Sequence, residues 1–175
     1  LAWANSKVGR DFIGNLFAAA TLPTGFAGLE NGAADVFKAT LYDGTITPDN
    51  DTTVTLFSYA AGGGQFLAAG GQTGATQVFH TGQWAQGGQS LANKQLRPPD
   101  ATALNDIVYW DADDTASGAA ATMSNINGTF VYDDSTTASP VDLGICYNYF
   151  GGPQQVTNGT FTIVWHANGI WRATL

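Results

Sequence analysis

Residues 156–175 read V-T-N-G-T-F-T-I-V-W-H-A-N-G-I-W-R-A-T-L, the most regular stretch of the chain. Phe161, Ile163 and Trp165 alternate with Thr160, Thr162 and Val164. This is the two-residue period of a strand with one apolar face. His166-Ala167-Asn168-Gly169 has turn chemistry, and residues 170–175 form a second short strand. Asn158-Gly159 opens the first strand and Asn168-Gly169 the second. Asn-Gly accepts the positive φ that tight turns demand. An isolated two-stranded ribbon is marginal in water, so the remaining residues must supply a larger sheet or a second sheet beneath it.

Working outward, V-D-L-G-I-C-Y-N-Y-F at 141–150 places Val141, Leu143, Ile145, Tyr147 and Tyr149 on one strand face. Gly144 and Cys146 share the other with Asp142 and Asn148, and Gly151-Gly152-Pro153 ends the strand. G-T-F-V-Y at 128–132 is another strand, closed by Asp133-Asp134. Asn127-Gly128-Thr129-Phe130 recurs as Asn158-Gly159-Thr160-Phe161, which reads as one turn-then-strand device used twice. D-I-V-Y-W at 106–110 is a core strand, followed by an acidic loop of small residues over 111–121. V-F-K-A-T-L-Y at 36–42 is a strand stopped by Asp43-Gly44.

Other parts are less regular. Over 53–59, Val54 and Leu56 alternate with Thr53 and Thr55, but Phe57 and Tyr59 break the phase; a strand or a short helix fits. Glycine clusters at 62–64, 70–71 and 87–88 interrupt residues 60–98. Short strands around 65–67, 76–80 and 91–96 are one reading and a long surface loop is the other. Trp84 speaks against disorder, because so large a ring finds a packing partner. Val8, Phe12, Ile13, Leu16 and Phe17 fall at helical spacing, with Asn5 or Ser6 as cap and Pro23 as terminator. The expected architecture is mainly β, an antiparallel β-sandwich or flattened barrel. Residues 1–22 are its one N-terminal helical segment, plugging an end or face of the β domain or reaching out as an arm. Residues 23–175 are the β domain, with an irregular Gly-rich insertion at 60–98.

The composition fits this reading. The 175 residues include 22 Gly, 10 Phe, 6 Tyr and 5 Trp, and only 11% are charged. Glycine punctuation and aromatic residues favour short strands over helices. A net charge of -8 argues against nucleic acid, whose phosphates need clustered Lys and Arg. It suits a basic protein surface as partner. With so few charges, much of the exterior must be uncharged Thr, Gln, Asn, Ser and Gly. No run reaches the roughly 18–20 apolar residues of a membrane-spanning helix.

Sites for chemistry are sparse. His80 and His166 stand apart and lack zinc-ligand spacing, and Cys146 is the single cysteine, read as a buried free thiol. His166 reads as an exposed or half-buried turn residue. Asp111-Ala112-Asp113-Asp114 invites a calcium reading, but Gly118 comes two positions late for an EF-hand and no glutamate closes the loop. A solvated acidic loop is the simpler reading, as for Asp133-Asp134 and for Asp49, Asn50 and Asp51. There is no G-x-S-x-G elbow, no dinucleotide glycine motif and no Walker lysine, and Glu30 is the sole glutamate. No catalytic, cofactor-binding or metal site is expected. Trp84, Trp110, Trp165 and Trp171 suggest core packing and subunit contact, or alternatively a sugar-stacking platform. Asn50, Asn127 and Asn158 head Asn-x-Thr sequons, relevant only in a glycosylating secretory pathway.

Three stretches carry a family resemblance. D-I-V-Y-W-D at 106–111, V-D-L-G-I-C-Y-N-Y-F-G-G at 141–152 and V-T-N-G-T-F-T-I-V-W-H-A-N-G-I at 156–170 together resemble a family of small virion structural proteins of tailed bacteriophages. Members end in a similar strand, Asn/Asp-Gly-x-Phe-x-Ile/Val-x-Trp, then a short turn with Gly and an apolar residue. The preceding strand ends in an aromatic residue followed by Gly, as Phe150-Gly151 does. The strand at 36–43 is similar to the family's V-K-A-x-L-Y-D, and Thr47-Pro48-Asp49 to the acidic, Pro-containing loop after it. Members also open with a helical stretch, as residues 5–16 suggest. The resemblance is specific over 129–175 and weak over 60–100, and the Gly-rich run at 62–71 and Cys146 depart from it.

The resemblance implies a head decoration (cement) protein or another minor virion component on the outer capsid surface. Its partners would be the major capsid protein and further copies of this chain, and it carries over no catalytic residue and no cofactor. Phe12, Leu16, Phe17, Trp84 and Trp171 are the candidate partner contacts. Residues 1–22 and 60–98 would hold the contact surfaces and 129–175 the scaffold. Deleting residues 1–22 is then expected to abolish capsid binding without unfolding the domain. A tail- or fibre-associated structural protein and a carbohydrate- or receptor-binding module are the alternatives.

Overall fold

A computed structural model describes residues 5–10, 12–13, 28–29, 34–48, 58–59, 66, 77–97, 107–136 and 141–174. These residues are mainly β, in several antiparallel sheets. The largest sheet has the order β1 (Lys7–Val8), β9 (Gly144–Gly159), β8 (Ala121–Asp133), β2 (Phe37–Tyr42), β3 (Gln77–Val78), and β4 (Gln89–Ser90) also pairs with β2. A second sheet has β6 (Ile107–Asp111) between β5 (Gln95–Arg97) and β11 (Trp171–Thr174). β7 (Thr115–Ala116) and β10 (Thr162–Ile163) form a separate pair.

β2 lies inside the sheet, paired with β8 along one edge and with β3 and β4 along the other. All its residues are buried except half-buried Lys38, whose ammonium meets the Asp134 carboxylate at 2.6 Å. Phe37, Ala39 and Leu41 point into a core shared with Val131, Cys146, Trp110 and Trp171. Tyr42 points the other way, into an aromatic cluster with Phe66, Phe130, Tyr132 and Tyr147. There Phe66 stacks on Phe130 with centroids 3.8 Å apart, and Tyr59 stacks on Tyr132 at 4.5 Å. On the first face Phe37 meets the Trp110 ring edge-on at 5.0 Å, which ties β2 to β6.

The single apolar face expected over 141–150 is split. Tyr132 lies opposite Gly144 but Val131 lies opposite Cys146, so Ile145 is an extra residue in β9. Such a bulge shifts the side-chain phase by one. Leu143 and Ile145 therefore share the first core with Cys146, whereas Tyr147 joins the aromatic cluster. The strand also does not stop at Gly151-Gly152-Pro153; it continues to Gly159. Those residues form a wide bulge, because Gly128 pairs with Tyr149 and Ile126 with Gln154. Two smaller irregularities follow, and Asn125 (φ 58°) and Asn158 (φ 48°) adopt positive φ within them. The two Asn-Gly echoes are consequently not one device used twice. Asn127-Gly128 lies in the middle of β8, while Asn158-Gly159 ends β9.

The C-terminal hairpin is also corrected. Residues 166–169 do turn, with the Gly169 N–H donating to the His166 carbonyl at 2.7 Å. The strands on either side do not pair with each other: β10 pairs with β7 and β11 with β6. Outside partners capture both ends of the turn. The Trp165 N–H donates to Asp114 Oδ1 at 3.0 Å and the Ile170 N–H to the Trp110 carbonyl at 2.7 Å. Gly169 has φ +83°, and a Cβ there would run into the Trp110 carbonyl oxygen. Gly169→Ala is therefore expected to cost at least about 1–2 kcal/mol in urea unfolding. An unchanged midpoint would show that the turn does not need this glycine.

The N-terminal expectation changes in kind. Lys7–Val8 is a strand on the edge of β9, pairing with Tyr147 and Cys146, where a helix was expected. The proposed caps serve the same edge: Ser6 Oγ accepts the Tyr149 N–H at 2.9 Å. One helical turn then follows, in which the Ile13 N–H donates to the Gly9 carbonyl at 3.2 Å. The remainder of the expected helix lies outside the described residues, as do residues 53–57 of the strand or short helix expected over 53–59 and the neighbours of Phe66 in the strand expected at 65–67; Ser58 makes an isolated antiparallel bridge with Leu143. Residues 77–97 are not a surface loop, since β3 and β4 join the large sheet and β5 the second.

Candidate interaction surface

The aromatic residues singled out as contacts lie mostly in the core. Phe12 and Trp84 have no exposed surface and Trp171 is 8% exposed. Phe12 packs edge-on against Trp171 with centroids 5.8 Å apart. The backbone pair His80–Trp84 closes a tight turn around Gly82 (φ +79°) and aims the Trp84 ring at Phe161, 6.0 Å away. Leu16 and Phe17 lie outside the described residues. A four-tryptophan sugar platform is not assembled, because Trp110 is fully buried with its Nε1–H on the Leu29 carbonyl at 2.6 Å. Half-buried Trp165 donates its Nε1–H to Thr115 Oγ1 at 3.3 Å. Because Phe12 is a core residue and Lys7–Val8 a paired strand, removing residues 1–22 would damage the fold as well as any contact. That overturns the clean separation expected of the deletion.

The acidic loop at 111–114 spends its carboxylates on its own architecture. Asp111 accepts the Ala112 N–H, Asp113 accepts the Asn93 side-chain amide at 2.6 Å, and Asp114 holds Trp165. Among the described residues, no group of three His, Cys, Asp or Glu side chains is placed to hold a metal ion. His166 is exposed in its turn, with Nδ1 accepting the Asn168 N–H at 3.0 Å. Cys146 is a free buried thiol, pushed up to about 12 by burial.

Among the described residues, the most perturbed carboxyl is Asp133, which has no exposed surface. Burial raises it to about 7; hydrogen bonds from Ser135 pull the other way, and the nearby Asp35 and Asp134 charges push it further up. Its Oδ1 accepts the Ser135 N–H at 2.8 Å, while Oδ2 has no hydrogen-bond partner among the described residues. It ends β8, next in sequence to the Asp134 that pairs with Lys38, and its N–H donates to the Leu143 carbonyl at 2.9 Å. Its surroundings are closed, so it is a feature of stability and not a reactive group open to substrate.

No protein-family model, curated protein or solved structure matches this chain. The phage resemblance therefore rests on the quoted residues alone.

Surface apolar groups lie elsewhere. Val164 is 72% exposed, by far the most of the large apolar side chains described, and Phe79 is 41% exposed. Val164 borders a shallow depression of about 230 Å³ that half-buried Phe150 and Phe161 also line. Sequence reasoning passed over both residues. Val164 occupies the solvent-side phase of the alternation in Phe161, Ile163 and Trp165, and an apolar residue in that phase was the available signal.

Proposed function

We propose that this chain is a structural component of a tailed-bacteriophage virion, a decoration protein that binds the outer capsid surface and bridges neighbouring major capsid subunits. The supporting sequence is the run from Asn158 to Trp165 with its glycine turn, set in a chain of mainly antiparallel β structure. The observation that carries the contact is the Val164 patch. Valine loses about 1.5 kcal/mol or more of burial free energy by standing in water, and it stands beside the half-buried rings of Phe150 and Phe161, an apolar spot that a partner would cover. The patch is modest, so a single copy binds weakly; repetition over a symmetric shell supplies avidity.

In the same reading the sheets are layered as a sandwich, with Phe37, Trp110 and Trp171 in the layer between the large sheet and the β5–β6–β11 sheet. Homo-oligomerisation at capsomer junctions belongs to this proposal as well.

Cryo-electron microscopy of the intact particle tests it. Density for the chain astride capsomer boundaries is expected, with Val164 at the contact. Density restricted to the tail or its tip overturns the capsid assignment. A companion experiment uses Val164→Asp, which should weaken cosedimentation with particles roughly tenfold or more while the thermal midpoint moves little, because the site is exposed. Undiminished cosedimentation removes this patch from the interface.

A further inference from the structure

A second surface feature is not used by the capsid reading. The outer half of the β8–β9 ribbon lies beside residues 77–80, and the two are joined by a hydrogen bond from the Thr122 N–H to His80 Nδ1 at 2.9 Å. Between them is a groove of about 340 Å³, at the lower end of the roughly 300–1,000 Å³ of small-molecule sites. Thr122 and Ser124 of β8 and Gln155 and Thr157 of β9 line it, all exposed. Phe79 adds the one aromatic ring. No Asp, Glu, Lys or Arg is among its described lining residues.

We propose that this groove binds a short neutral glycan, stacked on Phe79 and hydrogen-bonded by the hydroxyl and amide groups of the ribbon.

The chemistry follows from the lining. Hydroxyl and amide side chains both donate and accept, as sugar hydroxyls do. Thr122 Oγ1 already accepts the Asn158 N–H at 3.0 Å, so its hydroxyl hydrogen is available to a ligand. A charged ligand would lose hydration here without meeting an opposite charge. The C–H face of a pyranose needs an apolar plate, which an exposed phenyl ring supplies. The bulges that bend the ribbon fix the groove before ligand arrives, which lowers the ordering cost of binding.

The test is binding of the full chain to an array of immobilised neutral oligosaccharides that also carries sialylated and sulfated glycans, with each hit titrated in solution. Binding to at least one neutral oligosaccharide is expected. Phe79→Ala should weaken it roughly tenfold, the size of one lost ring contact. Gln155→Ala should weaken it too, with thermal midpoints unchanged in both variants. Absence of binding, binding confined to charged glycans, or affinity unaltered by both substitutions overturns the proposal. No virion is needed, so this result and that of the capsid experiment are independent.

Discussion

Trp110→Ala is expected to remove about 4–5 kcal/mol of stability, the largest effect of any single truncation considered. The ring has no exposed surface and packs edge-on against Phe37 at 5.0 Å. Deleting a buried aromatic side chain costs about 3–5 kcal/mol in lost transfer energy and cavity. A further penalty of about 1 kcal/mol follows because the Leu29 carbonyl loses the Nε1–H donor it holds at 2.6 Å. The position is also structural for the second sheet. Trp110 pairs with Leu96 and with Trp171, and its carbonyl anchors Ile170. Domains of this kind have about 5–15 kcal/mol in total, so the variant should show a large drop in its urea midpoint or fail to fold. Trp110→Phe separates the terms: it keeps most of the ring and loses the hydrogen bond, and should cost roughly half as much. A loss below about 2 kcal/mol for Trp110→Ala would mean that Phe37 and Trp171 close over the space, and that the two sheets are not held together here.

The elements legible in the sequence were those whose signals are local. V-F-K-A-T-L-Y, stopped by Asp43-Gly44, announces a strand, and β2 is one; its place inside the sheet is set by the partner strands on either side. The buried thiol of Cys146 and the exposed turn at His166 followed from their neighbours in the same way. Two features could not be read. The first was the phase of 141–150, because the extra residue at Ile145 is defined only by the partner strand. The second was the pairing around 160–175. His166-Ala167-Asn168-Gly169 specifies a turn, yet Asp114 and the Trp110 carbonyl decide where each end goes. Those partners lie more than fifty residues away in sequence. Three of the contact candidates, Phe12, Trp84 and Trp171, lie in the core for a related reason. Large rings such as Phe12, Trp84 and Trp171 attract attention as hot spots, but the same size makes them the first to be buried in a chain of this length. Exposed Val164 and Phe79 are small signals and emerge only once the faces are known.

Those faces also explain why a buried acid should govern the pH response. Asp133 is expected to make the protein less stable as pH rises, against the usual behaviour of an ion-paired carboxylate. Its carboxyl is raised by burial from the ordinary 3.8 to about 7. Between these values the folded chain holds a proton that the unfolded chain has released, so stability falls with increasing pH across that window. Below about pH 4 both states are protonated and the penalty is absent; above about pH 7 it is complete, at up to about 4 kcal/mol. Asp133→Asn cannot ionise. Its side-chain oxygen can still accept the Ser135 N–H, and it carries no charge to be repelled by Asp35 and Asp134. The variant should therefore match the parent near pH 4 and exceed it by about 2–4 kcal/mol at pH 8, the difference opening between pH 4 and 7. Asp142, raised by burial and by the Asp134 charge, is common to both proteins and drops out of the comparison. Urea unfolding of the pair at pH 4, 6 and 8 reads the effect directly. Parallel pH profiles would show that Asp133 gains a compensating partner when it ionises, and the closed environment assigned to it would then be wrong.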